Sequence, residues 1–337
     1  MRKYLPLFLL AGVLGLALAS PAPAQVGSNC VAWTGNGCIY GTVNGPCPGW
    51  FNCVPDGPFL VVCQTMTSQC PPAAAPQEVK KKCPSCGQPI SLATGNTYIE
   101  ETDIRVPGLS GGMTLLRTWN SMWPSTQIAS QVGLFGPNWR SNFEERLFWG
   151  DDHYLKYARG DGSFWSFGSS GAGWSVAAPA NAAVTLVQNS TNWVMTFPNG
   201  EKRFFDNTGG ALVAIVDRNG NTTQLSYDAT TRLVMVTDPS LRHLYFGYAN
   251  DTSRLVTSVT SDFGISLSYA YDNQGRLVQV TKPDQSTLSF TYDANSMITA
   301  VKDSVGKILE SHTYDSAGRG LTSSRASGVD SVTLSYQ

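Results

Sequence analysis

The stretch Leu267-Ser268-Tyr269-Ala270-Tyr271-Asp272-Asn273-Gln274-Gly275-Arg276-Leu277-Val278-Gln279-Val280 reads as two strands joined by a turn. Leu267, Tyr269 and Tyr271 alternate with Ser268 and Ala270, which puts the large side chains on one face of a strand. Asp272-Asn273-Gln274-Gly275 is turn chemistry, because Asp and Asn bond their own backbone and Gly adopts the positive φ of a tight reversal. The chain then returns along Leu277 to Val280.

The unit recurs. Phe205-Asp206, Tyr227-Asp228, Tyr248-Ala249-Asn250, Tyr271-Asp272, Tyr292-Asp293, Tyr314-Asp315 and Tyr336-Gln337 are spaced 22, 21, 23, 21, 22 and 22 residues apart. An Arg-Leu pair follows in phase at Arg232-Leu233, Arg254-Leu255 and Arg276-Leu277, and second turns fall at Asp217-Gly220, Asp238-Pro239, Pro283-Gln285 and Asp303-Gly306. A period of two strands and two turns predicts one antiparallel sheet growing by about 10 Å per repeat, on the order of 60 Å over six repeats. The tyrosines are expected to stack on one another across strands as a packing ladder rather than to touch a ligand.

Composition agrees with this all-β reading. Of 337 residues only 14% are charged, while Gly (33 residues) and aromatics (11%) are abundant, which excludes a coiled coil, a helical bundle or a charged disordered tail. A net charge of −1 leaves no electrostatic footprint for nucleic acid.

Residues 1–24 read as a signal peptide: Arg2 and Lys3, an apolar run from Leu5 to Ala19, and a small-residue cleavage site at Ala22-Pro23-Ala24. No later segment is long and apolar enough for a transmembrane helix, so the mature chain is expected to be exported to the periplasm, the cell surface or the medium. Cys30, Cys38, Cys47, Cys53, Cys63 and Cys70 make residues 25–70 a small disulfide-rich module with 15 possible pairings. Residues 71–82, Pro- and Ala-rich and ending in Lys80-Lys81-Lys82, read as a linker. Cys83 and Cys86 have the spacing of half a zinc ribbon or a redox pair; without a second ligand pair, a structural disulfide or an unused thiol pair is the preferred reading.

Residues 83–337 resemble the RHS (rearrangement hotspot) or YD-repeat family. Besides the repeat, Thr94-Gly95-Asn96-Thr97-Tyr98-Ile99-Glu100-Glu101-Thr102-Asp103 resembles the signature of the N-terminal β-domain that leads many bacterial RHS chains. Leu116-Arg117-Thr118-Trp119-Asn120-Ser121 and Gly136-Pro137-Asn138-Trp139-Arg140-Ser141-Asn142-Phe143 resemble that domain's next strand and turn. This leading domain is placed at 83–204 and about six YD repeats at 205–337. The resemblance implies an open, curved segment of a β-shell that encloses or delivers a polymorphic toxin in interbacterial competition. Six repeats are too few to close a cavity and no toxin domain follows, so the expectation is a noncatalytic scaffold. Its expected partner, further RHS shell or a toxin polypeptide, would join through the open sheet edge.

Chemistry is sparse. Glu100-Glu101, Glu144-Glu145 and Asp151-Asp152 are adjacent pairs, whose side chains point to opposite faces of a strand and aim poorly at one bond, although Glu101 and Asp103 share a face. Only three histidines are available as bases, and no Gly-x-Ser-x-Gly elbow occurs. No catalytic, metal or cofactor-binding residue is assigned. The alternative is an adhesin-like carbohydrate binder, with Trp119, Trp139, Trp149 and Trp165 as an aromatic platform if they face solvent.

Overall fold

The computed structural model describes residues 33–34, 37–38, 90–91, 94–122, 133–150, 154–169, 173–179, 182–325 and 328–336. The expected signal peptide, linker and Asp151-Asp152 pair, and the side chains of all eight cysteines, lie outside the described residues. The chain divides into two compact units, residues 1–32 with 36–68, and residues 33–35 with 69–337. In the first, only the short strand β2 (Gly37–Cys38) is described; the second contains β1 (Trp33–Thr34) and every other strand.

The second unit has two sheets. β3 (Tyr98–Val106), β4 (Met113–Asn120) and β5 (Trp139–Ser141) form a three-stranded antiparallel sheet. From β6 (Arg146–Trp149) to β24 (Val329–Thr333) a second, 19-stranded antiparallel sheet pairs each strand with its sequence neighbour. No register joins β24 to β6, so this sheet is open. Its start nevertheless rolls back: Arg146 bridges Ala211, the Leu147 amide donates to the Gly210 carbonyl at 2.8 Å, and the Leu212 amide donates to the Glu145 carbonyl at 3.2 Å. Gly210 permits this approach, since its φ is +68° and a Cβ there would collide with the Leu147 carbonyl oxygen.

The repeats form hairpins because each Asp organises its own turn. Asp272 Oδ1 accepts from the Gln274 and Arg276 amides, both at 2.9 Å, and Oδ2 accepts from Arg276 Nε at 2.7 Å. Asp228, Asp238 and Asp315 do the same. The fourth turn position is left-handed. Gly275 and Gly318 suit it, whereas Thr231, Leu241 and Ser296 adopt φ of 64°, 61° and 63° there. A bulge beside each Tyr from Tyr227 to Tyr314 then resets the pairing, as between Ala270 and Tyr271 where Tyr271 meets Leu277.

The tyrosines join successive repeats through their hydroxyls. Tyr227, Tyr248, Tyr271, Tyr292, Tyr314 and Tyr336 donate at 2.6–2.8 Å to the carbonyls of Leu212, Leu233, Val256, Leu277, Ile298 and Gly320, each on the preceding repeat. The rings do not stack on one another as expected; among the described residues no ring contact joins two of them. Guanidinium groups cover three instead: Arg232 lies 4.7 Å from the Tyr248 centroid, Arg276 4.9 Å from Tyr292 and Arg319 4.3 Å from Tyr336. The next repeat is one whole hairpin away, too far for ring-to-ring contact but within reach of the long Arg stem. Burial of these phenols disfavours their anions, pushing Tyr292 up to about 12.

Candidate functional site

The surface that the leading domain shares with the repeats is the part of the fold with the densest chemistry. On β3 the register slips between Thr102 and Ile104, so Asp103 is an extra residue whose carboxylate turns inward beside Ile104. Its side chain is fully buried, as is that of Arg117 on β4. Arg117 binds it as a fork, through Nε and, at 2.8 Å, through Nη2. Tyr269 of β18 (Ser266–Tyr271) donates its hydroxyl to Asp103 Oδ2 at 2.8 Å. The guanidinium also lies 4.6 Å from the Trp139 ring centroid, 5.4 Å from Phe135 and 5.5 Å from Tyr269. Burial pulls the basicity of Arg117 down, but Asp103 outweighs it and holds the guanidinium charged.

Aromatics of the leading domain meet the repeats in order along the sheet. Phe143 packs on Phe246 (centroids 6.4 Å apart), Phe135 on Tyr269 (4.8 Å), Trp139 on Phe290 (5.2 Å) and Trp119 on Tyr314 (6.2 Å). At the ends, Ser110 Oγ donates to Asp217 at 2.8 Å, and the Gly320 amide donates to the Gly95 carbonyl at 2.8 Å. The leading domain thus runs along one face of the sheet from the Asp217 turn to the last described repeat.

These contacts remove most of the expected aromatic platform. Trp119 and Trp139 are 0% exposed and cannot stack on a sugar, because the repeats cover them. Trp165 is half-buried, lying against Tyr157 and Phe197, with the Arg159 guanidinium 4.9 Å from its centroid. Only Trp149 of the four faces solvent, at 57% exposure, with Trp174 5.3 Å away. The acid pair Glu144-Glu145 is split between separate tasks. Glu144 accepts the Leu134 and Ser141 amides at 2.6 and 2.7 Å, and burial raises its pKa. Glu145 binds Arg203 and accepts the Tyr157 hydroxyl at 2.5 Å where the sheet rolls back. Glu101 and Asp103 do share the inward face; burial is the main reason the Glu101 carboxyl rises to about 6.

The alternation of residues along β3 places Glu101 and Asp103 in the seat, but sequence reasoning missed Arg117, Arg203 and His312. One available signal concerned His312: two residues before each Tyr stand Leu225, Phe246, Tyr269, Phe290, His312 and Leu334, a series otherwise apolar or aromatic. Among the described residues no group of three or more His, Cys, Asp or Glu side chains is arranged to hold a metal ion.

The repeat-signature residues Tyr227, Asp228, Tyr248, Tyr271, Asp272, Tyr292, Asp293, Tyr314 and Asp315 all lie at hairpin turns and their adjoining strands. Beyond them, β24 pairs only with β23 (Gly320–Arg325), so its other edge is free of strand partners among the described residues. Val332 and Leu334 are half-buried, whereas their counterparts Leu288 and Phe290 are buried; Tyr336 is half-buried, as Tyr292 is.

Comparison with known proteins gives two family matches, a domain of unknown function (DUF6531) over residues 87–167 and the Teneurin YD-shell over residues 189–333. The tRNA nuclease WapA of Bacillus subtilis is 28% identical over 144 residues, and the tRNA3(Ser)-specific nuclease WapA of Bacillus spizizenii 29% over 144. These alignments take in 43% of this chain and 6% of each relative. Among solved structures, the TcdB2-TccC3-Cdc42 complex aligns at 14% identity over 67% of this chain and 12% of its own, with a TM-score of 0.27. A Photorhabdus luminescens Tc holotoxin pore aligns at 14% identity over 71% and 14%, with a TM-score of 0.25. With a YD-shell match over the hairpin repeats and a second family match over the domain that packs on them, the chain is an RHS/YD-repeat protein.

Proposed function

We propose that this chain is an exported, noncatalytic stretch of RHS-type wall whose inner face is filled by its own leading domain, and that it works with further polypeptide to enclose or deliver a toxin. The observation that carries this reading is the unbroken seat of the leading domain along the repeats, from the Ser110–Asp217 contact to the Gly320–Gly95 contact. A wall segment filled this way is the sealed end of an enclosure, and cargo belongs beyond it. Export rests on the Arg2-to-Ala24 leader, and a disulfide module at Cys30 to Cys70 suits an oxidising compartment. The WapA relatives are named as nucleases, and this chain spans about 6% of their length.

The partner is further Tyr-Asp strand, from this chain or another polypeptide, added at the β24 edge. In the internal repeats a return strand carrying two aliphatics, such as Leu277 and Val280, packs against Tyr271 and Tyr269 and is itself fully buried at those two positions. The half-buried Leu334 and Tyr336 offer the same surface. A peptide copying residues 276–292 should bind the full chain and slow amide exchange in residues 329–336, whereas one with both Leu277 and Val280 changed to Asp should not. Equal behaviour of the two peptides would refute this partner.

A second reading, glycan binding, is favoured only by the exposed Trp149 beside Trp174. It expects glycan-array signal that Trp149→Ala abolishes with the fold intact; a blank array counts against it.

A further inference from the structure

Alternate turns of the meander share one rim of the sheet, and there the Tyr-Asp turns are tied to one another by arginine. Arg232 Nη1 donates to the Asn250 and Ser253 carbonyls of the next turn, at 2.8 and 3.1 Å. Arg276 Nη1 donates to the Asp293 carbonyl and to Ser296 Oγ, both at 3.4 Å. In both copies Nε is held by the aspartate of the arginine's own turn, and the guanidinium lies over the tyrosine that leads into the turn it binds. The other copies depart from this for visible reasons. Arg254 ends a turn one residue longer and reaches back to the Thr230 carbonyl at 2.8 Å, and Met297 takes the arginine's place after Tyr292.

Arg319 closes the turn between β22 (Ile308–Tyr314) and β23. It repeats half of the arrangement: Nε donates to Asp315 Oδ2 at 2.7 Å, and the guanidinium lies 4.3 Å from the Tyr336 centroid. The bond to Asp315 is the only side-chain hydrogen bond it makes among the described residues. Its side chain is 38% exposed, against 11% for Arg232 and 19% for Arg276, which are covered by the turns they bind. The leading domain fits closely around its stem, since a Cβ on Gly95 would stand 2.7 Å from Arg319 Cβ. Stem, ring and aspartate therefore hold this guanidinium in place, and the missing component is the turn that would follow Tyr336.

We propose that Arg319 is a clamp that seats an incoming turn when a strand is added to the free edge of β24. The clamp presupposes that β24 is the edge that takes the partner. Its occupant is a polypeptide in which a turn with open main-chain carbonyls precedes a return strand carrying two aliphatics. Asp315 already balances the charge of the guanidinium, so the remaining N–H groups suit neutral oxygen acceptors better than a second carboxylate or a phosphate. Main-chain carbonyls are common to every sequence. The clamp thus selects the shape of the turn, while the return strand selects by its aliphatic side chains.

The test compares two peptides on the full chain. One copies residues 272–292 and carries the turn Asp272 to Gly275 ahead of its return strand; the other copies 276–292 and lacks that turn. The turn-bearing peptide should bind about tenfold more tightly, because it adds hydrogen bonds to a charged donor. Arg319→Met, which keeps an apolar stem, should bind both peptides with the affinity of the shorter one. If that variant does not fold, Arg319→Lys, which keeps the charge without the fork, should lose most of the tenfold preference. Equal binding of the two peptides to the wild-type chain would overturn the clamp and leave the edge partner standing, whereas binding of neither would remove both. A tenfold preference that survives in Arg319→Met would also overturn the clamp, and its loss in excess inorganic phosphate would assign Arg319 to an anion instead.

Discussion

At the scale of single residues, each member of the Tyr-Asp signature has a separate task. The tyrosine hydroxyl reaches back to the previous repeat, and the aspartate holds its own turn. Removing only the hydroxyl in Tyr292→Phe should therefore cost about 1 kcal/mol, because the bond to the Leu277 carbonyl is lost while the ring stays packed. A urea-unfolding midpoint unchanged from wild type would show that this bond adds nothing. Thr231 is the opposite case. A β-branched residue at φ 64° is strained by about 1–2 kcal/mol, and glycine there loses part of that gain to its greater freedom in the unfolded chain. Thr231→Gly should raise thermal stability, by roughly 0.5–1 kcal/mol in net terms.

At the scale of elements, the hairpin repeat explains how the sheet grows but not how it begins. The strands from β6 to β13 (Leu212–Val216) roll back, so that residues 145–147 bond to 210–212 and Glu145 pairs with Arg203 of β12 (Lys202–Asp206). Gly210 makes the approach possible. Gly210→Ala should destabilise the protein by roughly 2 kcal/mol, combining a positive φ with a backbone collision. Its effect should be local: amide exchange should speed up at Leu147 and Leu212 and remain unchanged in β22 and β23. A uniform loss of protection would mean that the roll and the later repeats unfold as one unit.

At the scale of the whole molecule, leading domain and repeats meet around a buried ion pair, and that makes the junction sensitive to half-removal. Arg117→Ala leaves Asp103 charged and buried without its guanidinium and should cost roughly 3–5 kcal/mol, measured by chemical denaturation. Replacing both partners with apolar residues, as Asp103→Leu with Arg117→Met, should recover most of the loss. A double variant as unstable as Arg117→Ala would show that the ion pair itself, rather than the orphaned charge, supports the junction.

The repeat period, the hairpins, the Asp-centred turns and the all-β class were legible from sequence because they depend on contacts within about 22 residues. Alternation, turn residues and recurrence encode such contacts directly. The leading domain was legible as a segment, through its resemblance, but its packing was not. The contacts Asp103–Tyr269, Trp139–Phe290 and Trp119–Tyr314 join positions more than 150 residues apart, and no local pattern distinguishes a tryptophan awaiting a sugar from one covered by a distant strand. The same holds for His312, which the tertiary structure buries with no hydrogen-bond partner for either ring nitrogen among the described residues. Sequence by itself determined the repeating hairpin, since its hydrogen bonds close between neighbours; only the tertiary structure decided which face was filled, because burial depends on what the distant chain brings.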